Sequence, residues 1–191
     1  KTDGNIGNSR RQKTVKVNGR DLNNCNGGEL GKVVREGAEC VGLTVTEFLL
    51  EHMNLTGCKG CFGGNSDREC RCVQQDDMNK SYPAVRDCDV VVLASPLYYW
   101  NLSGQLHTAM DRLFALEEGG QNLLRGNGKS SALLMAAEGH GFDDAVLYYD
   151  HLMAHLSCQT LGHVLAAGNM SWGDVQVKRG APGAVEQGTY D

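Results

Sequence analysis

The fold is decided by the stretch DVVVLASPLYY at residues 89–99. Its apolar run from Val90 to Ala94 does not alternate with polar residues, which is typical of a parallel strand covered by helices on both faces. Residues 103–116 then carry apolar side chains at helical spacing, and Ser103 is suited to cap the start of that helix. The stretch therefore predicts a buried strand that leads directly into a helix.

The same alternation extends along most of the chain. Strands are predicted at 14–19, 43–50, 89–99, 129–137 and 162–168, and helices at 29–42, 77–87, 103–116 and 143–156. Strands that alternate with helices favour an α/β fold with a doubly wound, five-stranded parallel sheet and helices on both faces. Ligands bind such sheets beyond the carboxyl ends of the strands, where the strand order reverses. The loops after the first, third and fourth strands are therefore the candidate site.

One residue does not suit a central parallel strand. Lys16 lies between Val15 and Val17 in the first strand, where an uninterrupted apolar run is expected. Either this strand lies nearer an edge of the sheet, or its neighbours accommodate the lysine stem.

Composition limits the class of protein. The 191 residues are 41% hydrophobic and 21% charged, which suits one domain rather than two. A net charge of −5 lacks the cationic surface that holds nucleic acid, so nucleic acid is excluded as the main partner. No apolar run approaches the roughly 18 residues of a membrane span, so no membrane partner is expected.

The ends of the chain are polar. Residues 1–13 contain no apolar core of a signal peptide, and no apolar stretch follows the pair Arg10-Arg11 as a twin-arginine signal would require. We therefore expect a cytoplasmic protein. The expected organisation is a polar extension at 1–12, one domain at 13–175 and a polar tail at 176–191.

Four of the eight cysteines lie within 15 residues, as Cys58-x2-Cys61-x8-Cys70-x-Cys72. They belong to a loop of unusual length at 54–76 that shows no periodicity. Such clustering indicates metal, iron–sulfur or redox chemistry rather than scattered structural bridges. Three other cysteines are interpreted as small apolar residues in packed positions: Cys40, Cys88 and Cys158.

The segment SPLYYWNLSGQLHTAMDRL at 95–113 combines a Ser-Pro-x-Tyr start, a Ser-Gly-x-Leu turn and a later Asp-Arg. It resembles the third-strand loop and helix of the flavodoxin-like NAD(P)H-dependent FMN reductases, a family that includes the multimeric flavodoxins and the iron–sulfur flavoproteins. The resemblance runs from about Lys13 to Gly173 and implies a flavodoxin-like fold that binds FMN. It also implies that NAD(P)H reduces the flavin, which passes electrons to a quinone, a free flavin or an iron–sulfur partner. Because the flavin carries the chemistry, no residue is assigned as catalytic acid or base.

The third loop suits a flat ring that is apolar on its faces and polar along one edge. The predicted cofactor-binding residues are Ser95, Pro96, Leu97, Tyr98, Tyr99 and Trp100, which open the loop and supply the wall, and Asn101, whose turn supplies amides. The alternative is that the three aromatic rings pack against a neighbouring subunit. The flavin interpretation is favoured because the rings would otherwise form an exposed apolar patch.

The fourth loop, AAEGHGFDD at 136–144, lies where the family places a glycine-rich turn beside the ring. Its predicted cofactor-binding residues are Ala137, Glu138, Gly139 and Gly141. The two glycines permit close backbone approach. His140 is a candidate for contact with the flavin edge or the substrate, although a lone loop histidine is more often solvated.

The first loop departs from the family pattern, which reads Asn-Gly-Ser-Pro-Arg followed by Gly-Asn-Thr. Its predicted phosphate-binding residues are Gly19, Arg20, Asn24, Asn26 and Gly27. Arg20 stands where serine is expected and Gly27 where threonine is expected, while Asp21 would oppose a phosphate. Backbone N–H groups and the helix dipole survive these changes, and Arg20 can add a charged contact. The alternative is an ordinary turn that holds phosphate weakly.

The segment 57–78 also resembles the family, through its Cys-x-Gly-Cys start and its Asp-Asp-Met end. Iron–sulfur members place a third cysteine close behind the second, where Gly64 stands here. Three alternatives remain for the four cysteines: a [4Fe–4S] cluster, free or disulfide-switching thiols, and a structural zinc site. The candidate metal ligands are Cys58, Cys61, Cys70 and Cys72.

The resemblance implies an FMN-dependent oxidoreductase whose partner is a small-molecule or protein electron acceptor. It also implies a homodimer or homotetramer, because a second subunit often completes the sites of the family. One alternative is an iron–sulfur electron carrier to which NAD(P)H need not bind. Another is a binding module that has kept the fold and lost cofactor affinity.

Overall fold

The computed structural model describes residues 13–19, 26–63, 72–117, 124 and 128–167. The strands are β1 (Lys13–Asn18), β2 (Thr44–Leu49), β3 (Val90–Pro96), β4 (Ser130–Ala136) and β5 (Gln159–Ala166). The helices are α1 (Asn26–Cys40), α2 (Met78–Asp87), α3 (Gly104–Arg112) and α4 (Asp143–His155). Short 3₁₀ turns follow β2 at Leu50–His52 and α3 at Leu113–Leu116.

The five strands form one parallel sheet in the order β2-β1-β3-β4-β5. The chain moves outward from β1 to β2, then crosses back and continues from β3 to β5. The strand order therefore reverses between β1 and β3, whose carboxyl ends are neighbours. The predicted doubly wound parallel sheet is confirmed, with element boundaries displaced by at most four residues.

Alternate residues of β3 divide the core between the two faces of the sheet. Val91 and Leu93 join the main core, to which α2, α3 and α4 contribute. Val92 and Ala94 belong to a smaller cluster on the opposite face, against which Val34 of α1 packs. The lack of alternation in the β3 sequence thus reflects burial on both faces.

Lys16 lies in the middle of the sheet, since β1 pairs with both β2 and β3. Its side chain is 3% exposed, and its Nζ donates to Oε1 of Glu47 on β2 at 2.8 Å. Arg35 of α1 donates to the other oxygen of the same carboxylate. The idea of an edge strand is therefore wrong. The lysine is accommodated because one carboxylate on the neighbouring strand serves two cations.

The scattered cysteines differ in their environment. Cys88 is buried as expected, and burial raises the pKa of its thiol to about 11. Cys158 is half-buried. Cys40, by contrast, is exposed at the end of α1, so its interpretation as a packed residue is wrong. Position 40 is the last residue of α1, and this end of the helix faces solvent, since the following Val41 is 74% exposed.

The two polar ends, 1–12 and 176–191, lie outside the described residues, so the predicted division of the chain stays a prediction. Among the helices that are described, none combines the length and the apolar character needed to cross a membrane.

Candidate functional site at the carboxyl end of the sheet

The end of β1 lies directly against the end of β3. The N–H of Gly19 donates to the carbonyl oxygen of Ala94 at 2.9 Å. A Cβ placed on Gly19 would come within 2.1 Å of the Oγ of Ser103, the residue that precedes α3. The first and third loops therefore approach each other so closely that only glycine fits at position 19.

The third loop contains a tight turn built from aromatic residues. Tyr98 and Asn101 form an antiparallel bridge, with N–H to carbonyl distances of 2.9 and 3.0 Å in the two directions. The residues between them both have positive φ, 48° at Tyr99 and 62° at Trp100. Two-residue turns of this kind normally use Asn-Gly or Gly-Gly. Left-handed backbone at two non-glycine residues costs about 1–3 kcal/mol each, so the surroundings must hold the turn.

The turn presents its rings to solvent. The exposed fractions are 43% for Tyr98, 93% for Tyr99 and 61% for Trp100. Pro96 and Leu97, which precede the rings in the sequence, are half-buried. The three aromatic side chains therefore form an exposed surface at the carboxyl end of β3, and their assignment to flavin binding stays a prediction.

Ser95 does not share that exposure. It is 4% exposed, donates through Oγ to the carbonyl oxygen of Pro96 at 2.7 Å, and accepts from the N–H of Ser103 at 2.8 Å. Ser103 in turn accepts from the N–H of Leu106 at 3.4 Å, which confirms it as the N-cap of α3. The geometry thus gives Ser95 the role of joining the end of β3 to the start of α3.

The fourth loop meets the third at Gly141. A Cβ on Gly141 would lie 3.1 Å from Cδ1 and 3.2 Å from Nε1 of Trp100, and its φ is 105°. Glu138, Gly139 and His140 are exposed next to this contact in sequence, and Ala137 is half-buried at the end of β4. The structure therefore brings the third and fourth loops together, with the indole of Trp100 in contact with Gly141.

The first loop is described only in part. Gly19 lies beside the end of β3, whereas Arg20 and Asn24 fall outside the described residues. Asn26 and Gly27 form the beginning of α1, where backbone N–H groups have no partner within the helix. A helix N-terminus at this place retains the feature that phosphate binding requires.

Sequence reasoning missed His107 of α3. Its Nε2 lies 3.1 Å from Oδ1 of Asn101, the residue that closes the aromatic turn. Its ring lies 5.0 Å from the ring of Tyr148 on α4. The sequence offers one signal, which is that His107 falls within the segment 95–113. The spacing of His107 in the sequence does not reveal its contacts with Asn101 and Tyr148.

The cysteine loop is closed at its base by a buried ion pair. Arg112, 1% exposed, donates to both carboxylate oxygens of Asp76, at 2.5 and 3.0 Å, and to the carbonyl oxygen of Thr56 at 2.8 Å. Burial raises the pKa of the Asp76 carboxyl, but hydrogen bonds from Arg112, Thr56 and Met78 outweigh this and leave the pKa below its ordinary value. The Asp-Arg and Asp-Asp-Met motifs, noted separately in the sequence, are thus partners in one contact.

Further contacts connect the two limbs of the loop. Thr56 Oγ1 donates to Gln74 at 2.8 Å, and Gln74 Nε2 donates to the carbonyl oxygen of Gly57 at 3.0 Å. The N–H of Asp77 donates to Asn54 at 3.2 Å. The described part of the loop contains no helix or strand between Met53 and Asp77, and side chains hold its shape instead.

The candidate metal ligands that the structure describes differ in exposure. Cys58 and Cys61 are exposed, Cys72 is half-buried, and Cys70 lies outside the described residues. Within the described ranges, no three His, Cys, Asp or Glu side chains come close enough to share a metal ion. The three described thiols are therefore not gathered into a cluster site here, and the metal assignment stays a prediction.

The strand order and the loops gathered at the β1–β3 reversal define the flavodoxin-like class of α/β proteins. Within that class, the chain belongs to the NADPH-dependent FMN reductase family, whose sequence profile matches residues 14–172. The resemblance seen in the sequence is thereby confirmed.

The chain is also similar to individual proteins. An iron–sulfur flavoprotein of Archaeoglobus fulgidus is 34% identical over 98 residues, which cover 51% of this chain and 43% of that protein. The match thus spans less than half of that relative's length. RosB with a bound 8-demethyl-8-formylriboflavin-5'-phosphate superimposes with a TM-score of 0.65 at 16% identity, covering 84% of this chain and 67% of RosB. An NAD(P)H:quinone oxidoreductase from Methanothermobacter marburgensis gives a TM-score of 0.62 at 13% identity, covering 86% and 90%. At such identities the structural likeness shows the fold alone.

Proposed function

We propose that the chain is an FMN-dependent oxidoreductase that takes electrons from NAD(P)H and delivers them to a quinone, a free flavin or another acceptor. When bound, FMN supplies the hydride and electron-transfer chemistry. The chain binds the cofactor, orients its ring and controls access to it. Family membership and the carboxyl-end loops support this proposal.

The observation that carries the proposal is the strained aromatic turn. Tyr99 and Trp100 are held with positive φ and exposed rings at the place where the strand order reverses. Backbone strain concentrates at functional sites, and exposed apolar patches mark binding surfaces. A flat ring stacked on this surface would cover side chains that otherwise face water.

The residues present fit such a ligand. The rings of Tyr98, Tyr99 and Trp100 supply an apolar wall. The backbone at the start of α1 supplies N–H groups for a phosphate, and the absence of a side chain at Gly19 keeps the first and third loops close together. The proposal includes Glu138 and Gly139 as contacts to the polar edge of the ring.

The test is a visible absorption spectrum of anaerobically purified protein, supplemented with FMN and recorded before and after addition of NADPH. We expect a two-banded flavin spectrum that bleaches on reduction. Trp100→Ala should weaken FMN binding by about tenfold, a change of about 1.4 kcal/mol. The matched control is Leu147→Ala, an exposed apolar residue on α4. A colourless wild-type protein that takes up no FMN at micromolar flavin would overturn the proposal and favour the binding module.

A second candidate is an iron–sulfur flavoprotein that carries electrons between partners. It is favoured by the four clustered cysteines and by the name of the Archaeoglobus relative. The base of the loop is already held by Arg112 and Asp76, so its limbs start from one defined position.

Iron and acid-labile sulfide should then be present in equal amounts after anaerobic purification. Cys58→Ala and Cys72→Ala should each lose both, whereas Cys40→Ala, which alters an exposed cysteine on α1, should lose neither. Zinc without sulfide would indicate a structural zinc site. Reactive thiols without any metal would indicate free or disulfide-switching cysteines.

We also propose that the protein forms a homodimer or homotetramer. Phe62 of the cysteine loop and Phe114 after α3 contact each other edge to face at 5.8 Å, yet they are 76% and 41% exposed. Exposed apolar groups of this kind favour association. Sedimentation should show an oligomer that Phe114→Ser weakens and Leu147→Ser does not, while a monomer at all concentrations would contradict the proposal.

A further inference from the structure

The aromatic turn needs a fixed support, and the contacts of Asn101 identify it. The side-chain Oδ1 of Asn101 accepts from the N–H of Leu102 at 2.9 Å. A backbone N–H can only donate, so the atom that faces Leu102 is the oxygen of the amide and not its nitrogen. The same oxygen lies 3.1 Å from Nε2 of His107.

This arrangement determines which tautomer of His107 fits. Because Oδ1 is an acceptor, Nε2 of the imidazole must carry the proton and donate it. The neutral Nε2–H tautomer and the imidazolium both satisfy this contact, whereas the neutral Nδ1–H tautomer does not.

His107 is itself held by two neighbouring elements. Its backbone N–H donates to the carbonyl oxygen of Ser103 at 3.0 Å, within the first turn of α3. Its ring packs against Tyr148 of α4 at 5.0 Å. The imidazole thus contacts both α4 and Asn101, and Asn101 closes a turn that two non-glycine residues with positive φ make unfavourable.

We propose that His107 is a positioning residue of the flavin site, which holds the Tyr99–Trp100 turn through its hydrogen bond to Asn101. This inference rests on the proposed function, since it assigns the turn to flavin binding. Without the donor, the turn relaxes from its left-handed backbone, the rings of Tyr99 and Trp100 lose their fixed positions, and FMN binds more weakly.

The test compares FMN dissociation constants, measured by flavin fluorescence on apoprotein, for wild type, His107→Leu and His107→Gln. Leucine fills similar space without a donor, and glutamine restores an N–H at similar reach. One neutral hydrogen bond predicts a loss of about five- to tenfold for His107→Leu. His107→Gln should stay within about twofold of wild type, because the donor is restored. Near-UV circular dichroism of the apoproteins should show a changed aromatic signal for His107→Leu only.

A double-mutant cycle separates positioning from general destabilisation. Asn101→Ala should weaken FMN binding, and adding His107→Leu to it should cause no further loss. Additive losses, or equal binding by His107→Leu and wild type, would overturn the inference while leaving the proposed function intact. A wild-type protein that takes up no FMN would overturn both. If His107→Leu does not fold, the Asn101→Ala and His107→Gln pair still decides, since the inference requires the first to bind weakly and the second to bind normally.

Discussion

At the scale of single residues, two glycines allow the loops of the site to meet. Gly19 lies so close to Ser103 that a side chain cannot be accommodated without movement. Gly141 combines a φ of 105° with contact to the indole of Trp100. Substitutions at the two positions should affect different properties of the protein. Gly19 lies against a buried helix cap and should affect stability, whereas Gly141 lies against an exposed ring and should affect FMN binding.

Gly141→Ala should weaken FMN binding. The added Cβ would lie 3.1 Å from the indole of Trp100. The backbone at position 141 also has a φ of 105°, which alanine disfavours. We expect a dissociation constant about tenfold higher in a fluorescence titration. Gly37→Ala in α1 is the control, since nothing lies within 4 Å of its Cβ position and the residue is not part of the proposed site. Equal affinities for the two variants would contradict the predicted contact.

Gly19→Ala should destabilise the fold itself. Its Cβ would come within 2.1 Å of Ser103 Oγ, which caps α3 and is fully buried. Urea denaturation should give a free energy of unfolding lower by about 1–3 kcal/mol. Gly37→Ala is the control: it lies within α1 with open space around it, and should raise stability by about 0.5–1 kcal/mol. A neutral Gly19→Ala would show that the loops separate at little cost.

At the scale of elements, the cysteine loop is attached to the end of α3 rather than to a strand. Arg112 donates to Asp76 and to the carbonyl oxygen of Thr56, and the side chains of Arg112 and Asp76 are 0% and 5% exposed. A buried ion pair contributes little net stability, but removing one partner is costly because the other charge stays buried. This contact is therefore where a substitution would release the loop.

Arg112→Met should lower the free energy of unfolding by about 3–5 kcal/mol, because Asp76 would stay buried without its partner. It should also speed proteolytic cleavage within 57–75. Lys80→Met is the control, since Lys80 pairs with Asp77 at the surface and its side chain is 74% exposed. Unchanged cleavage kinetics in Arg112→Met would mean that the other contacts between the limbs hold the loop by themselves.

At the scale of the whole molecule, the stability of the protein depends on pH through paired carboxylates. Hydrogen bonds from Lys16 and Arg35 outweigh the effect of burial and lower the pKa of Glu47, as those from Arg112 do for Asp76. A carboxyl whose pKa is lower in the folded state stabilises the fold above its unfolded pKa. That contribution disappears as the pH falls through the folded pKa.

The free energy of unfolding should therefore be nearly constant between about pH 5 and 8 and fall as the solution is made more acidic. Asp76→Asn should flatten this fall, because it removes a carboxyl whose pKa is lowered from an ordinary value of 3.8. Asp87→Asn is the control and should flatten it less, since Asp87 pairs with Arg86 at the surface and is 46% exposed. Parallel acid-unfolding curves for Asp76→Asn and wild type would contradict the assignment of Asp76.

The amino-acid pattern alone predicted the order of strands and helices, the parallel sheet and the loops at its carboxyl end. It could do so because burial on two faces requires uninterrupted apolar runs, and helical packing requires apolar spacing near 3.6 residues. These patterns are local, and each can be read within one element. The family motif at 95–113 singled out three aromatic residues that the structure exposes directly after β3, and their role in flavin binding stays a prediction.

The hydrogen-bond partners of the side chains, by contrast, could be seen only in the folded structure. Arg112 finds Asp76 at a separation of 36 residues, and Lys16 finds Glu47 on a neighbouring strand. The contact of His107 with Asn101 spans only six residues, yet it depends on a turn whose positive φ values no propensity predicts. Periodicity reports whether a side chain is buried but carries no information about its partner. The partner of a buried side chain is set by distances in space, and those distances exist only after the chain has folded.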